Sequence, residues 1–130
     1  MPKQPEHGAT MAGLAAVVRA ALDACVNDRV PLHTETLAAC TLVERWLGGQ
    51  AVTPAQFDAA GEKAHTAATR ASKEASAIGA SPQWQERDGE RQLLKRAYWI
   101  GDAAGNLCVK GLKAGGWQDL ASVMDSASYA

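Results

Sequence analysis

The stretch Val52-Thr53-Pro54-Ala55-Gln56-Phe57, continued by an alanine-rich run to Gly79, decides how this chain folds. Thr53 is suited to be an N-cap, and Pro54 suits the first helical position, where a missing N–H costs nothing. Gln56, three residues after Thr53, can close a capping box, and Val52 and Phe57 stand at the two positions of a hydrophobic staple. Phe57, Ala60, Ala64, Ala67, Ala68, Ala71, Ala75 and Ile78 then recur at helical spacing as far as Gly79, which is expected to end the helix as a C′ glycine. A stripe made almost wholly of alanine lets a neighbouring helix come close. This is the central helix, the third of five.

Working outward, residues 1–9 hold Pro2 and Pro5 without periodicity and read as a flexible tail, with residues 10–130 as one helical domain. From Thr10 on, Met11, Leu14, Ala15, Val18, Ala21, Leu22 and Cys25 form a helical stripe that should stop near Asn27, ahead of Val30-Pro31. A second helix is expected over residues 34–47, with Leu37, Cys40, Thr41 or Val43, and Leu47 facing inward and Gly48-Gly49 as its stop. After Gly79, Ser81 could cap a short turn, and the polar stretch around residues 83–90 reads as a surface connection. A fourth helix, over residues 89–114, carries Leu93, Ala97, Ile100, Ala104, Leu107, Cys108 and Leu112. Its glycines, Gly101 and Gly105, each cost about 1 kcal/mol inside a helix and call for close approach to the alanine stripe. Trp117, Leu120, Val123 or Met124, and Ala127 outline a fifth. The expected fold class is all-α, a single-domain irregular bundle of about five helices.

Composition narrows the function classes. The 130 residues are 47% apolar and 21% charged, with a formal net charge of −1, so no field of one sign draws in nucleic acid or a membrane surface. Arg19 and Asp23 interrupt the only long apolar run near the N-terminus, and no segment could span a bilayer. Cys25, Cys40 and Cys108 lack CxxC or Cys/His ligand spacing and read as small buried apolar residues in a reducing, cytoplasmic compartment.

Motifs for chemistry are sparse. Glu62 and His65 have the i, i+3 spacing of carboxylate-bridged metal bundles, but no second Glu-x-x-His accompanies them, and the expectation is no metal and no cofactor. The plainer reading is a surface His65 near Asp58 and Glu62. No nucleophile elbow, phosphate loop or dinucleotide fingerprint occurs, so no catalytic residue is assigned and the chain is read as a non-enzyme. Asp102 and Asn106, beside the helix-four glycines, read as a solvated face. Arg87, Arg91, Lys95 and Arg96 lie near Trp84, Tyr98 and Trp99, a basic and aromatic mixture that nucleic-acid modules use. Glu86, Asp88 and Glu90 nearly cancel that charge. The same residues fit a protein-binding surface better, because Trp, Tyr and Arg most often carry interface energy. Trp84, Arg87, Arg91 and Lys95 are therefore the expected partner-binding residues.

One family resemblance follows from three segments: Asp28-Arg29-Val30-Pro31, Leu42-Val43-Glu44-Arg45-Trp46-Leu47-Gly48-Gly49, and Ala59 through Ala71 with its Ala64-His65-Thr66-Ala67-Ala68 centre. They resemble a group of all-helical immunity proteins of bacterial polymorphic toxin systems, in which a D-x-R-P-like turn precedes a helix ending in W-x-x-G and then an alanine-rich A-x-x-A-H-x-A-A helix. Here the turn order differs and helix four has no histidine-containing alanine helix. The resemblance implies a small cytoplasmic inhibitor that neutralises a toxin or effector by binding it, and it designates no binding face. A phage- or plasmid-borne antagonist fits the same description. The alternatives are a helical metal- or ligand-binding enzyme using His65 and Glu62, with Asp102, and a nucleic-acid-associated module using residues 87–96.

Overall fold

A computed structural model describes residues 3–111 as four α-helices: α1 (Lys3–Asn27), α2 (Thr34–Leu47), α3 (Pro54–Gly79) and α4 (Asp88–Gly111). No strand occurs among the described residues, and the helices form one domain. The fifth helix expected over residues 117–127 lies outside the described residues. Residues 3–9, read from the sequence as tail, belong to α1 instead. Pro5 does not prevent this, because the first turn of a helix needs no N–H from it.

The entrance to α3 is built as its sequence dictates. The Gln56 N–H donates to Thr53 Oγ1 at 3.2 Å, and the Thr53 N–H donates to Gln56 Oε1 at 2.8 Å, with Pro54 in the first turn. Phe57 is almost fully buried, Val52 packs at the edge of the same core, and Trp46 meets Phe57 edge-on at 5.9 Å between ring centroids. Every member of the alanine stripe is buried except Ala60, which is half-buried. The stop differs from expectation. Gly79 keeps helical geometry and Ala80 is the C-cap in the right-handed region, so the glycine is not required there by its backbone angles.

Left-handed caps close the two earlier helices. At the end of α2, Gly49 has φ 89° and its N–H donates to the Trp46 carbonyl, while the Gln50 N–H reaches the Arg45 carbonyl, a Schellman motif. At the end of α1 the same pattern is made by Arg29, at φ 60°: its N–H donates to the Val26 carbonyl and the Val30 N–H to the Cys25 carbonyl at 2.8 Å. Val30 and Cys25 are both buried in the core, the apolar contact that accompanies this motif. Arg29 holds a conformation that costs an L-residue roughly 1–2 kcal/mol. Arg29→Gly is therefore expected to raise stability by ~1 kcal/mol, read as a higher midpoint in urea with an unchanged slope; an equal or lower midpoint would refute the strain at this cap.

The helix α3 packs along α4 as an antiparallel hairpin, the largest helix–helix interface among the described residues. Its register is set by small residues. A Cβ on Gly101 would sit 3.1 Å from Ala68 Cβ and 3.2 Å from Thr36 Oγ1, which is the close approach expected of this glycine. Gly105 faces His65 rather than an alanine. The seam also uses Gly61, where a Cβ would come 3.0 Å from the Gly105 carbonyl oxygen and 2.7 Å from Val109 Cγ2.

The helices α1 and α2 complete the main core, with Val18, Leu22, Val43, Phe57, Ile100 and Leu107 as its larger members. The orientation of α2 departs from expectation. It buries Thr36, Ala39, Cys40 and Val43, whereas Leu37 and Leu47 are exposed, because Thr36 seats on Gly101 and the Cys108 thiol donates to the Ala39 carbonyl at 3.6 Å. The hairpin end carries its own small cluster, Ala75, Ile78 and Leu94.

Candidate protein-interaction site

The end of the α3–α4 hairpin gathers the residues that a partner could hold. Residues 80–87 form a run of turns, begun at Ser81 as its sequence suggests. Ser81 orders this run: its hydroxyl accepts from the Gln83 N–H at 3.2 Å and donates to Gln83 Oε1 at 2.9 Å, and its carbonyl accepts the Trp84 N–H. Trp84 is thereby held in the turn with 45% of its surface exposed, the most exposed aromatic among the described residues. The first turn of α4 carries Asp88 and Glu90, which suit the positive end of the helix dipole.

The four cations of this segment are not equivalent. Arg87 makes a two-point contact with Glu90, Nε to Oε2 at 3.1 Å and Nη2 to Oε1 at 3.0 Å, and this holds the Glu90 carboxyl below its usual range. Arg91 donates from Nε and Nη2 to one Asp88 oxygen, at 3.1 and 2.8 Å, which lowers the Asp88 pKa in the same way. Arg96 reaches back to the end of α1 and pairs with Asp28 at 2.9 Å. Lys95 has neither a hydrogen bond nor an ion pair among the described residues, and its charge is felt at Asp88 only through space.

Of the four expected partner-binding residues, the structure brings two together. Arg91 and Lys95 line one wall of a groove of ≈ 220 Å³ with Tyr98 and Trp99, whose rings meet at 4.8 Å. Ser72, Ala75, Ser76 and Gly79 of α3 form the other wall. Trp84 and Arg87 lie outside this groove, on the turn that closes the same hairpin. Ser72 and Ser76 were not singled out from sequence, although the signal was present. Ser72, Ser76 and Gly79 repeat at i, i+4, i+7, as do Arg91, Lys95 and Tyr98, so that a row of small residues faces a row of large ones.

His65 takes a different place from the surface position expected of it. The ring lies half-buried against α4, with its Cδ2 edge where a Cβ on Gly105 would be, and Nε2 is 2.9 Å from Asn106 Oδ1. The Asn106 amide donates from Nδ2 to Asp102 Oδ2 at 3.3 Å, so its oxygen faces the ring and His65 Nε2 is the donor. Asn106 is buried, and this pair is not the solvated face that its sequence suggested. A groove of ≈ 530 Å³ opens beside the ring, lined by Glu62, Thr66, Thr69, Arg70, Lys73 and Val109. Among the described residues no three His, Cys, Asp or Glu side chains converge as metal ligands would.

Other faces carry exposed apolar residues too, among them Val26, Leu37 and Leu47. A third groove, of ≈ 660 Å³ between α2 and α3, is lined by Ala38, Leu42, Ala59 and Ala60 together with the polar Thr34, Glu35, Gln56 and Lys63. All three cysteines are buried as free thiols, and burial raises the pKa of each, to about 11 for Cys40 and about 12 for Cys108. No helix among the described residues is long and apolar enough to cross a membrane.

The described residues form an all-helical, single-domain module. Comparison with protein-family models, with curated proteins and with solved structures found no match.

Proposed function

We propose that this chain is a small protein-binding inhibitor, of the immunity type or a phage- or plasmid-borne antagonist, that neutralises a toxin or effector in the cytoplasm by direct contact. The observation that carries this reading is Trp84. A large aromatic ring, 45% exposed on a turn ordered by Ser81, sits on the hairpin end with Arg87, Arg91 and Lys95 near it in the chain. Interfaces draw most of their energy from a few such anchors. The two rival readings have weaker support. His65, the centre of the enzyme reading, is engaged with Asn106 in the packing of α3 on α4. Of the four cations in the nucleic-acid reading, Arg87, Arg91 and Arg96 are paired with carboxylates, which leaves one.

The test is capture of a stoichiometric partner from the native host by the full chain, followed by calorimetry on variants. Trp84→Ala is expected to weaken the complex by ~2 kcal/mol or more, and Arg87→Ala or Arg91→Ala by less. The thermal melt of Trp84→Ala should match the parent, since the exposed ring contributes nothing to the main core. Unchanged affinity in this folded variant would remove the hairpin end from the interface.

A further inference from the structure

We propose that the groove between Ser72 and Ser76 on α3 and Arg91 and Lys95 on α4 receives a single acidic side chain, an Asp or Glu of the partner protein. This rests on the protein-binding reading above and names the chemistry that reading lacks. The argument begins from hydrogen-bonding capacity. A helical serine or threonine ordinarily spends its hydroxyl proton on the carbonyl four residues back, as Thr66 does on Glu62 and Thr69 on His65, each at 3.0 Å. Those two threonines line the ≈ 530 Å³ groove, which therefore keeps only acceptors on its hydroxyls. Ser72 and Ser76 make no such bond among the described residues, so both can donate.

The opposite wall supplies more donors. Lys95 has three N–H groups and no hydrogen bond or ion pair among the described residues, its charge reaching Asp88 only through space, and Arg91, with Nε and Nη2 on Asp88, retains Nη1. No carboxylate lines the groove. Two hydroxyls, an ammonium and a free guanidinium nitrogen around one opening fit a group that only accepts and carries negative charge. Size then selects the source. At ≈ 220 Å³ the groove is below the range typical of small-molecule sites, about 300–1,000 Å³, and suits one protruding side chain. Tyr98 and Trp99 supply flat apolar surface on which the flanking residues of a partner segment can rest.

The experiment titrates nitrogen-15-labelled full chain with the blocked peptide acetyl-Gly-Leu-Glu-Leu-Gly-amide, and with the same peptide carrying Gln, or phosphoserine, in place of Glu. The Glu peptide should move the amide signals of Ser72, Ser76, Lys95 and Tyr98. The Gln peptide should bind about tenfold more weakly, as loss of a charge-assisted contact implies. Lys95→Gln should weaken the Glu peptide by a similar factor and melt with the parent, since Lys95 is exposed. Added salt should weaken the Glu peptide and leave the Gln peptide unaffected. Equal affinity for Glu and Gln, signals moved on another face, or binding of phosphoserine alone would each overturn the assignment. Any of these would leave the Trp84→Ala comparison standing, whereas absence of a captured partner would remove the inhibitor reading and leave the peptide contrast intact.

Discussion

Gly105→Leu is expected to destabilise the fold by ~3 kcal/mol. The first carbon of the new side chain would fall on the His65 ring, 2.6 Å from Nε2 and 3.0 Å from Cγ. Overpacking of this kind costs roughly 1–3 kcal/mol. The ring cannot simply swing aside. It donates to Asn106 Oδ1, and an unsatisfied buried acceptor adds about 1–3 kcal/mol. The gain from replacing a helical glycine, roughly 1 kcal/mol, offsets part of this. A double-mutant cycle isolates the cause: Gly105→Ala in a His65→Ala background should cost little or even stabilise, while Gly105→Ala alone should destabilise. If urea melts show the two backgrounds responding alike, His65 is not what the glycine accommodates.

Alkaline pH should unfold this protein through its thiols. Burial is the main cause that lifts Cys40 to about 11 and Cys108 to about 12, with the Glu44 charge adding to the first and Cys40 itself to the second. In the unfolded chain both thiols titrate near 9. Above that pH the unfolded chain releases protons that the folded chain retains, so stability is intact below pH 9 and falls as pH rises toward 11–12. At 1.36 kcal/mol per unit for each thiol, the loss by pH 11 is about 3–5 kcal/mol, a large part of the stability of an ordinary domain. Denaturant melts of the parent and of a Cys40→Ala/Cys108→Ala variant measure it. The variant starts lower because of the cavities, but its stability should fall far less steeply across this window. Parallel slopes would mean that lysines and tyrosines, not the buried thiols, govern the alkaline transition.

What could be read from the chain alone was decided within a few residues of each position. The Thr53/Gln56 capping box, Pro54, the Phe57 to Ile78 stripe and the Gly49 stop all depend on hydrogen bonds and sterics inside one helical turn, and the structure has each where its sequence indicates. The row Ala97, Gly101, Gly105 announced a close helix contact for a similar reason, since glycine inside a helix needs a neighbour to justify it. Arg29 escaped notice because an arginine gives no hint of a left-handed conformation; it is held there by Val30 and Cys25 in the core.

The rotation of α2, the seat of His65 and the hairpin groove were decided only by tertiary structure. Leu37 and Leu47 have as good a claim to burial as Thr36 and Ala39, until Gly101 and the Cys108 thiol, from a helix more than sixty residues onward, select the other face. His65 lies one position off the alanine stripe and reads as solvated, but its partner Asn106 is forty-one residues away and invisible to any local period. Ser72 and Ser76 acquire a role only when Arg91 and Lys95 are laid opposite them. The sequence by itself determined where the helices are and that two of them meet closely, because those outcomes depend on neighbours three and four residues apart. Which side chains meet across that contact depends on register and rotation, and these are set by how small residues on one helix seat large ones from another.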